Sequence, residues 1–414
     1  MATLTPGNAA TTAVDMRLFF HWADGVINDG EDGFNFVEFT EIGTKIIMMP
    51  DDNDQLVVEY SGGSGMSIYG AQPYTGSFTT IVVKLGSATV GTLTGISRAD
   101  NFPEVITANA WRALDGNDIL GGSNLGDWLT GGFGGNDVYT GNGGNDTFEA
   151  STRSVAPTHT FVGSADSTDT IFVRGNLFDA DAKTLDLRSS GLASIEAFVV
   201  AAGLTVQVGS AQFSAGGISL SELTGGGTFE IFLAAASFSL AGFTPDGTTV
   251  RINGTLLKET IRGSEGRDFL FGLQHKDTLD GRAGNDEITG GLDRDVLRGG
   301  KGQDDFNFTT LKDTGRTTAK RDVILDFTHL QDDIDLSAID ANGAAPGDKA
   351  FRFLAKAGAA FTGVKGQLHW YLENKPGTAN DRTVIEGDIN GDKQADFHIA
   401  LTGLKTLTID DIVI

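Results

Sequence analysis

The chain has 414 residues, 57 of them glycine, with no cysteine and a formal net charge of −25. That length allows two to four structural units with cores of their own, and the absence of cysteine excludes a disulfide framework, so rigidity must come from elsewhere, bound metal being one source. The acidic balance disfavours nucleic acid and anionic membrane as partners, and no run of eighteen apolar residues marks a transmembrane helix.

Residues 1–112 alternate with period two in FNFVEF (Phe34 to Phe39), QLVVEY (Gln55 to Tyr60) and TTIVVKL (Thr79 to Leu85), with Gly, Asp and Asn clusters between them. This reads as a small antiparallel β-rich N-terminal domain. Its aromatic residues, among them Phe19, Phe20, Trp22, Tyr69, Tyr74 and Phe78, supply either its core or a sugar-stacking surface. His21 stands near Asp24 without a partner histidine and is assigned no role. Asn101, Pro103 and Glu104 have the form of a capping box, so a short helix is expected to close the domain. The opening MATLTPGNAATTAVDMRLFF has neither a basic segment nor a long apolar one, and an export address is expected elsewhere.

Residues 113–149 carry a nonapeptide: ALDGNDILG, GSNLGDWLT, then GFGGNDVYT after one extra residue (Gly131), then GNGGNDTFE. The sixth places are acidic (Asp118, Asp127, Asp137, Asp146) and the eighth are large and apolar (Leu120, Leu129, Tyr139, Phe148). In residues 150–253 this signature is gone. Short apolar runs remain at Thr170 to Val173, Thr184 to Leu187, Glu196 to Val200, Leu204 to Val208, Thr228 to Leu233 and Thr249 to Ile252, which fits a metal-free β-rich spacer, either solenoid or sandwich.

The nonapeptide returns at full strength in residues 254–307 as GTLLKETIR, GSEGRDFLF, GLQHKDTLD, GRAGNDEIT, GGLDRDVLR and GGKGQDDFN. Each unit opens with Gly, and its sixth place is acidic: Glu259, Asp268, Asp277, Asp286, Asp295 and Asp304. The eighth place holds Ile261, Leu270, Leu279, Ile288, Leu297 or Phe306. This is the repeat G-G-x-G-x-D-x-U-x of a parallel β-roll. Its first six residues turn the chain, with Gly supplying positive φ, and its last three form a strand with one inward side chain. At the fourth place Asp293 and His275 tolerate the left-handed region and Leu257 is the poor fit. Two units make one coil, so acidic residues eighteen apart stack: Glu259 with Asp277, Asp268 with Asp286, Asp277 with Asp295, and Asp286 with Asp304. Stacked carboxylates repel unless a cation lies between them. Several Ca²⁺ ions fit, since calcium takes oxygen ligands from carboxylates and backbone carbonyls in forgiving geometry.

Residues 308–414 begin with DVILDF (Asp322 to Phe327) and DDIDLSAID (Asp332 to Asp340) and read as a C-terminal β-domain. Asp388, Asn390, Asp392 and Asp396 follow the spacing of a calcium loop, and they are candidate ligands. Ile399 stands where an EF-hand needs its closing glutamate, so the other reading is a solvated turn between strands.

These residues together resemble the secreted RTX proteins, the hemolysin-type calcium-binding group. Residues 322–414 look like the C-terminal domain that follows the roll in serralysin-type metalloproteases and mannuronan epimerases. The resemblance implies an all-β fold with Ca-binding parallel β-roll (β-solenoid) segments between β-rich terminal domains. It also implies a secreted, extracellular protein with an uncleaved C-terminal signal for type I (ABC-transporter) machinery, matched here by Asp411, Ile412, Val413 and Ile414. The departures matter as well: no H-E-x-x-H and no G-x-S-x-G occurs in the sequence. No catalytic residue is assigned. Two functions stay open, a non-enzymatic adhesion, matrix or surface role with a cell-surface or polysaccharide ligand, and a hydrolase or lyase acting on polysaccharide through an unrecognised site in the N-terminal or middle region.

Overall fold

The structure, a computed structural model, describes residues 3–6, 34–40, 45–50, 56–61, 75–77, 80–85, 88–94, 99–101, 119–121, 128–130, 136–152, 157–175, 181–341, 349–376 and 380–414. His21, the six named N-terminal aromatic residues and the helix expected after Asn101 lie outside them, as do Asp118 and Asp127. Asn101 itself ends a strand, Ala99–Asn101, paired with Thr75–Ser77. The described residues are all β, apart from single 3₁₀ turns at Ser210–Phe213 and Ile409–Asp411. Two compact units are present, Met1–Gln207 with Gln212–Gly227, and Val208–Ala211 with Thr228–Ile414.

In the first unit the strands Phe34–Thr40, Lys45–Pro50, Leu56–Ser61, Thr80–Leu85 and Ala88–Thr94 form an antiparallel meander. Thr3–Pro6 joins the meander to a parallel stack, pairing antiparallel with Ala88–Thr94 and parallel with Ile119–Gly121. Two parallel stacks then run side by side. One holds Ile119–Gly121, Val138–Thr140, Thr160–Val162 and Gly191–Ala193. The other holds Trp128–Thr130, Thr147–Ser151, Thr170–Arg174, Ile195–Val200 and Ile218–Thr224. The stacks continue past residue 149 without a break, so the part of the spacer in this unit is solenoid, the alternative to a sandwich. Successive strand residues point to opposite faces, and the inward ones fall into file: Phe148 against Ile171, and Ile171 against Phe198, all fully buried. Tyr139 stacks on Phe161 with ring centroids 4.7 Å apart.

The second unit is built the same way with tighter turns. One stack runs Thr228–Phe232, Thr249–Asn253, Asp268–Leu273, Glu287–Gly291, Asp305–Asn307, Asp333–Asp335 and Ile412–Val413, each parallel to the next. The other runs Ser237–Ser239, Thr260–Arg262, Thr278–Ala283, Val296–Lys301, Asp322–Ile324 and Phe397–Thr402. Consecutive nonapeptides alternate between the stacks, so one coil is eighteen residues. The eighth-place side chains Ile261, Leu279 and Leu297 align in one file, which Ile324 continues, and Leu270, Ile288 and Phe306 align in the other, which Ile334 continues. All eight are fully buried. Beyond Phe397–Thr402 the sheet turns antiparallel through Arg382–Asp388 and Gln367–Glu373.

The turns follow the template in part. His275, Gly284, Asp293 and Gly302 hold the fourth place with positive φ. Leu257 does not: its unit turns on the Thr255 hydroxyl, which accepts the Leu257 N–H at 3.1 Å, and Leu257 is left exposed.

Candidate metal-binding ladder

In the main roll each sixth-place residue uses its backbone N–H to grip the carboxylate one coil on. Glu259 donates to Asp277 Oδ1 at 2.7 Å, Asp268 to Asp286 at 2.9 Å, Asp277 to Asp295 at 2.8 Å and Asp286 to Asp304 at 3.0 Å. The four stacked pairs read from the spacing are therefore all adjacent. Two ladders result, one along each edge of the roll.

Both ladders outrun the nonapeptides. Asp295 donates to Asp322 Oδ1 at 2.8 Å across 27 residues, and Asp304 to Asp332 Oδ1 at 3.2 Å across 28. The first unit repeats the motif: Asp146 donates to Asp169 Oδ1 at 2.8 Å, and Asp169 in turn to Glu196 Oε2 at 2.9 Å. Beside Asp137 the rung is an imidazole, with the Asp137 N–H donating to His159 Nδ1 at 3.0 Å, which requires a ring unprotonated at that nitrogen. Asp169, Glu196, Asp322, Asp332 and His159 were not read as ladder residues from the sequence, because their spacing is 22 to 28 rather than 18.

With Oδ1 spent on the rung, Oδ2 decides what a carboxylate can do. Asp277, Asp286, Asp295, Asp304 and Asp322 are each about fully buried, and the Oδ2 of each has no hydrogen-bond partner, as does Oε2 of Glu259. A buried polar atom left unpaired costs roughly 1–3 kcal/mol, and a charged one more. The cost shows in the protonation equilibria. Burial first, and neighbouring carboxylates second, push Asp277 up to about 7, Asp286 and Asp295 to about 8, and Asp304 to about 6.

At Asp277, Asp286, Asp295 and Asp304 the glycine that opens the same unit packs against the orphan oxygen. A methyl group at Gly281 would collide with Asp286 Oδ2 and with the Gly299 carbonyl, and one at Gly272 with Asp277 Oδ2 and the Gly290 carbonyl. A carboxylate oxygen and a backbone carbonyl thus converge on the space a side chain would fill, which is the donor set of a hard divalent cation. Among the described residues no three carboxylate or imidazole side chains close on one point. An ion in the ladder would therefore draw on backbone carbonyls for much of its shell.

Asp388, Asn390, Asp392 and Asp396 are arranged differently. Asp388 accepts the N–H groups of Gly391 at 2.7 Å and Lys393 at 2.9 Å, Asn390 that of Asp392 at 2.7 Å, Asp392 that of Gln394 at 2.8 Å, and Asp396 that of Ile389 at 2.9 Å. Their oxygens close a tight turn between strands.

A further cluster lies abreast on three neighbouring strands. Glu386 is flanked by His369 on one side, Nε2 to Oε2 3.0 Å, and by His398 on the other, Nε2 to Oε1 3.2 Å. Burial raises Glu386, but the hydrogen bond from His369 and the charge of His398 outweigh it and hold the carboxyl below its usual range. Burial pushes Tyr371 beside it up to about 12, with the charges of Glu386 and Glu373 adding to the shift. Arg321 meanwhile forms a bidentate pair with Glu373 at 3.0 and 2.7 Å.

Residues 213–414 match the family model described as Peptidase M10 serralysin C terminal. That stretch is of RTX type, and the H-E-x-x-H of the protease is absent from the sequence. Similar solved structures include two solution structures of subunits of the Azotobacter vinelandii mannuronan C5-epimerase. The AlgE6R3 subunit is 28% identical, with 39% of this chain and 82% of that one covered and a TM-score of 0.29. The AlgE6R2 subunit is 26% identical, with 42% and 89% covered and a TM-score of 0.26. No curated protein matches the chain.

Proposed function

We propose that the protein is an exported calcium-binding protein of RTX type, whose roll folds on extracellular calcium and whose role at the surface or in a matrix is adhesive rather than catalytic. The observation that carries this reading is the two files of buried carboxylates, Asp277 with Asp295 and Asp286 with Asp304, each residue with one oxygen used by the ladder and one without a partner. Glu259, with its orphan Oε2, opens one edge, and Asp268 belongs to the other. In the first unit Asp137 and Asp146 hold the equivalent places, with Asp118 and Asp127 preceding them in sequence. Calcium at these places neutralises the stack and converts a repulsive file into a cross-link between coils.

Extracellular modules of this kind bind calcium at ~10⁻⁴–10⁻³ M. With that affinity the roll stays open in a low-calcium cytosol, as a chain threaded through a transporter requires, and closes outside. The address is proposed to be the uncleaved segment Asp410 to Ile414, read by type I machinery. The test is titration calorimetry of the full chain with calcium, paired with far-ultraviolet circular dichroism in chelator and in calcium. Several ions bound and a gain of β signal are expected. No heat of binding and an unchanged spectrum would remove the reading.

A further inference from the structure

The turns of the main roll divide between two edges, and the side chains they expose differ. The turns ahead of Thr260–Arg262, Thr278–Ala283 and Val296–Lys301 carry TLL, LQH and GLD in their second to fourth places, whereas those of the other edge carry SEG, RAG and GKG. Leu256, Leu257 and Leu273 are therefore set on one edge in consecutive coils, 60%, 64% and 43% exposed. Leu273 stands there with a φ of 76°, where Gly291 and Gly300 hold the same place in later units. The fifth place beside these leucines is basic in all three turns, at Lys258, Lys276 and Arg294, and Asp293 is the exposed acid among them. Just after this column Glu259 and Asp277 bond to the carboxylates of the next coil, so the backbones of neighbouring cations lie one strand spacing apart, about 5 Å. The turn ahead of Asp322–Ile324, which extends the same stack, continues the pattern with Leu311, 38% exposed, and the exposed Lys312.

We infer that this edge is a docking surface for a lipid bilayer with anionic headgroups. Exposed leucines beside a file of cations fit the boundary between acyl chains and charged headgroups: the apolar side chains enter, and the ammonium and guanidinium groups hold phosphate and carboxylate above them. Contiguous exposed leucines on a soluble chain mark an interaction surface, and no Phe, Tyr or Trp stands in these turns as a platform for a saccharide. The net charge of −25 disfavours such a bilayer for the chain as a whole. The edge carries the opposite sign, so repulsion of the remaining acidic surface turns this edge toward the headgroups. The surface rests on the calcium reading at one point: ions at Asp277 and Asp295 offset the buried carboxylates next to Lys276 and Arg294 and leave the edge net positive.

The test is co-sedimentation of the full chain in calcium with vesicles of phosphatidylcholine alone and of phosphatidylcholine with phosphatidylserine. The chain should sediment with the anionic vesicles and stay in solution with the neutral ones. The double variants Leu256→Ser, Leu257→Ser and Lys258→Gln, Lys276→Gln should each lower partitioning by roughly tenfold or more. Arg267→Gln with Lys301→Gln, on the other edge, should leave it unchanged. Loss in the lysine variant alone would mean adsorption to any polyanion, a uronate polysaccharide included, and overturns the bilayer assignment. Partitioning unchanged in both would mean calcium bridging between acidic surface and headgroup, and overturns it as well. Equal loss in the other-edge variant does the same, since net charge and not the edge would then govern. If Leu256→Ser, Leu257→Ser does not fold, Leu273→Gly, which suits the backbone at that place, decides alone, and unchanged partitioning there overturns the inference. A chain that takes up calcium in calorimetry but sediments with neither vesicle overturns the docking surface and leaves the calcium reading standing, whereas a chain that takes up none fails the calcium reading first.

Discussion

The N–H of Asp304 donates to Oδ1 of Asp332 across 28 residues, the same bond that Asp286 makes to Asp304 across 18. Loop length between rungs is thus free to vary, because the ladder is set where the chain re-enters the strand. Each rung residue stands two places before an inward apolar side chain, as Asp304 does before Phe306 and Asp332 before Ile334. Register in the core and register in the ladder are one constraint.

Acid should substitute in part for calcium. Unfolded carboxylates titrate near ~4, whereas Asp286 and Asp295 are raised to about 8 in the folded, metal-free chain by burial and then by their neighbours. Between those values the folded state holds more protons than the unfolded one, so stability is greatest at the low end and falls as pH rises toward 8. In chelator the melting temperature at pH 5.5 should exceed that at pH 8.5 by about 4–8 °C, on the order of 2 kcal/mol. The double variant Asp286→Asn, Asp295→Asn should flatten the profile. A metal-free melting temperature that climbs with pH would refute the argument.

The opening glycines should be intolerant of a methyl group for a reason that metal binding reports. Gly281→Ala drives Cβ into Asp286 Oδ2 and the Gly299 carbonyl, and it should cost about 1–3 kcal/mol in overpacking. Calcium titrations should show weakened uptake by several-fold or more. Gly203, unlike Gly281, has positive φ, and a Cβ there meets nothing within 4 Å, so Gly203→Ala should lower stability modestly and leave uptake unchanged. Equal losses of affinity in the two variants would count against the cradle.

The 18-residue rolls were legible in the sequence because glycine, acid and apolar residue recur at fixed offsets, and the four stacked pairs followed by arithmetic. The longer coils were not, since loops of 22 to 28 residues hide the period. Their signal survives as an acidic residue two before a core residue: Asp169 before Ile171, Glu196 before Phe198, Asp322 before Ile324. His159 before Phe161 is the same place with another side chain. No sequence pattern, however, says whether a carboxylate's second oxygen is capped. The Ser264 N–H caps Asp268 Oδ2 and the Thr328 N–H caps Asp332 Oδ2, each at 2.7 Å, through loop geometry that the nonapeptide template does not encode.

Core files should respond to truncation more than their strand length implies. Leu279 lies between Ile261 and Leu297 in register and is fully buried, so Leu279→Ala removes contacts with both neighbouring coils. The expected cost is about 2–5 kcal/mol, read as a lower denaturant midpoint in saturating calcium. An effect under about 1 kcal/mol would mean that the coils close over the gap.

The chain end joins the same core, which lets stability and export be separated. Ile412 aligns with Ile334 as the last member of its file and is buried, while the adjacent Val413 is 42% exposed. Asp411 anchors the segment: its carboxylate meets His329 Nδ1 at 2.7 Å and accepts the Leu330 N–H at 2.8 Å and the Thr408 N–H at 2.6 Å. Ile412→Ser should therefore cost roughly 2–4 kcal/mol, since it strips a buried side chain and leaves a hydroxyl in an apolar file, whereas Val413→Ser should leave the melting temperature within about 1 °C. A transporter that reads the unfolded terminus as sequence meets both apolar residues before any strand exists, so both variants should be exported poorly in a host that has the machinery. If only Ile412→Ser is retained inside the cell, folding of the terminal strand and not its sequence governs export, and the assignment of Asp410 to Ile414 as the signal falls.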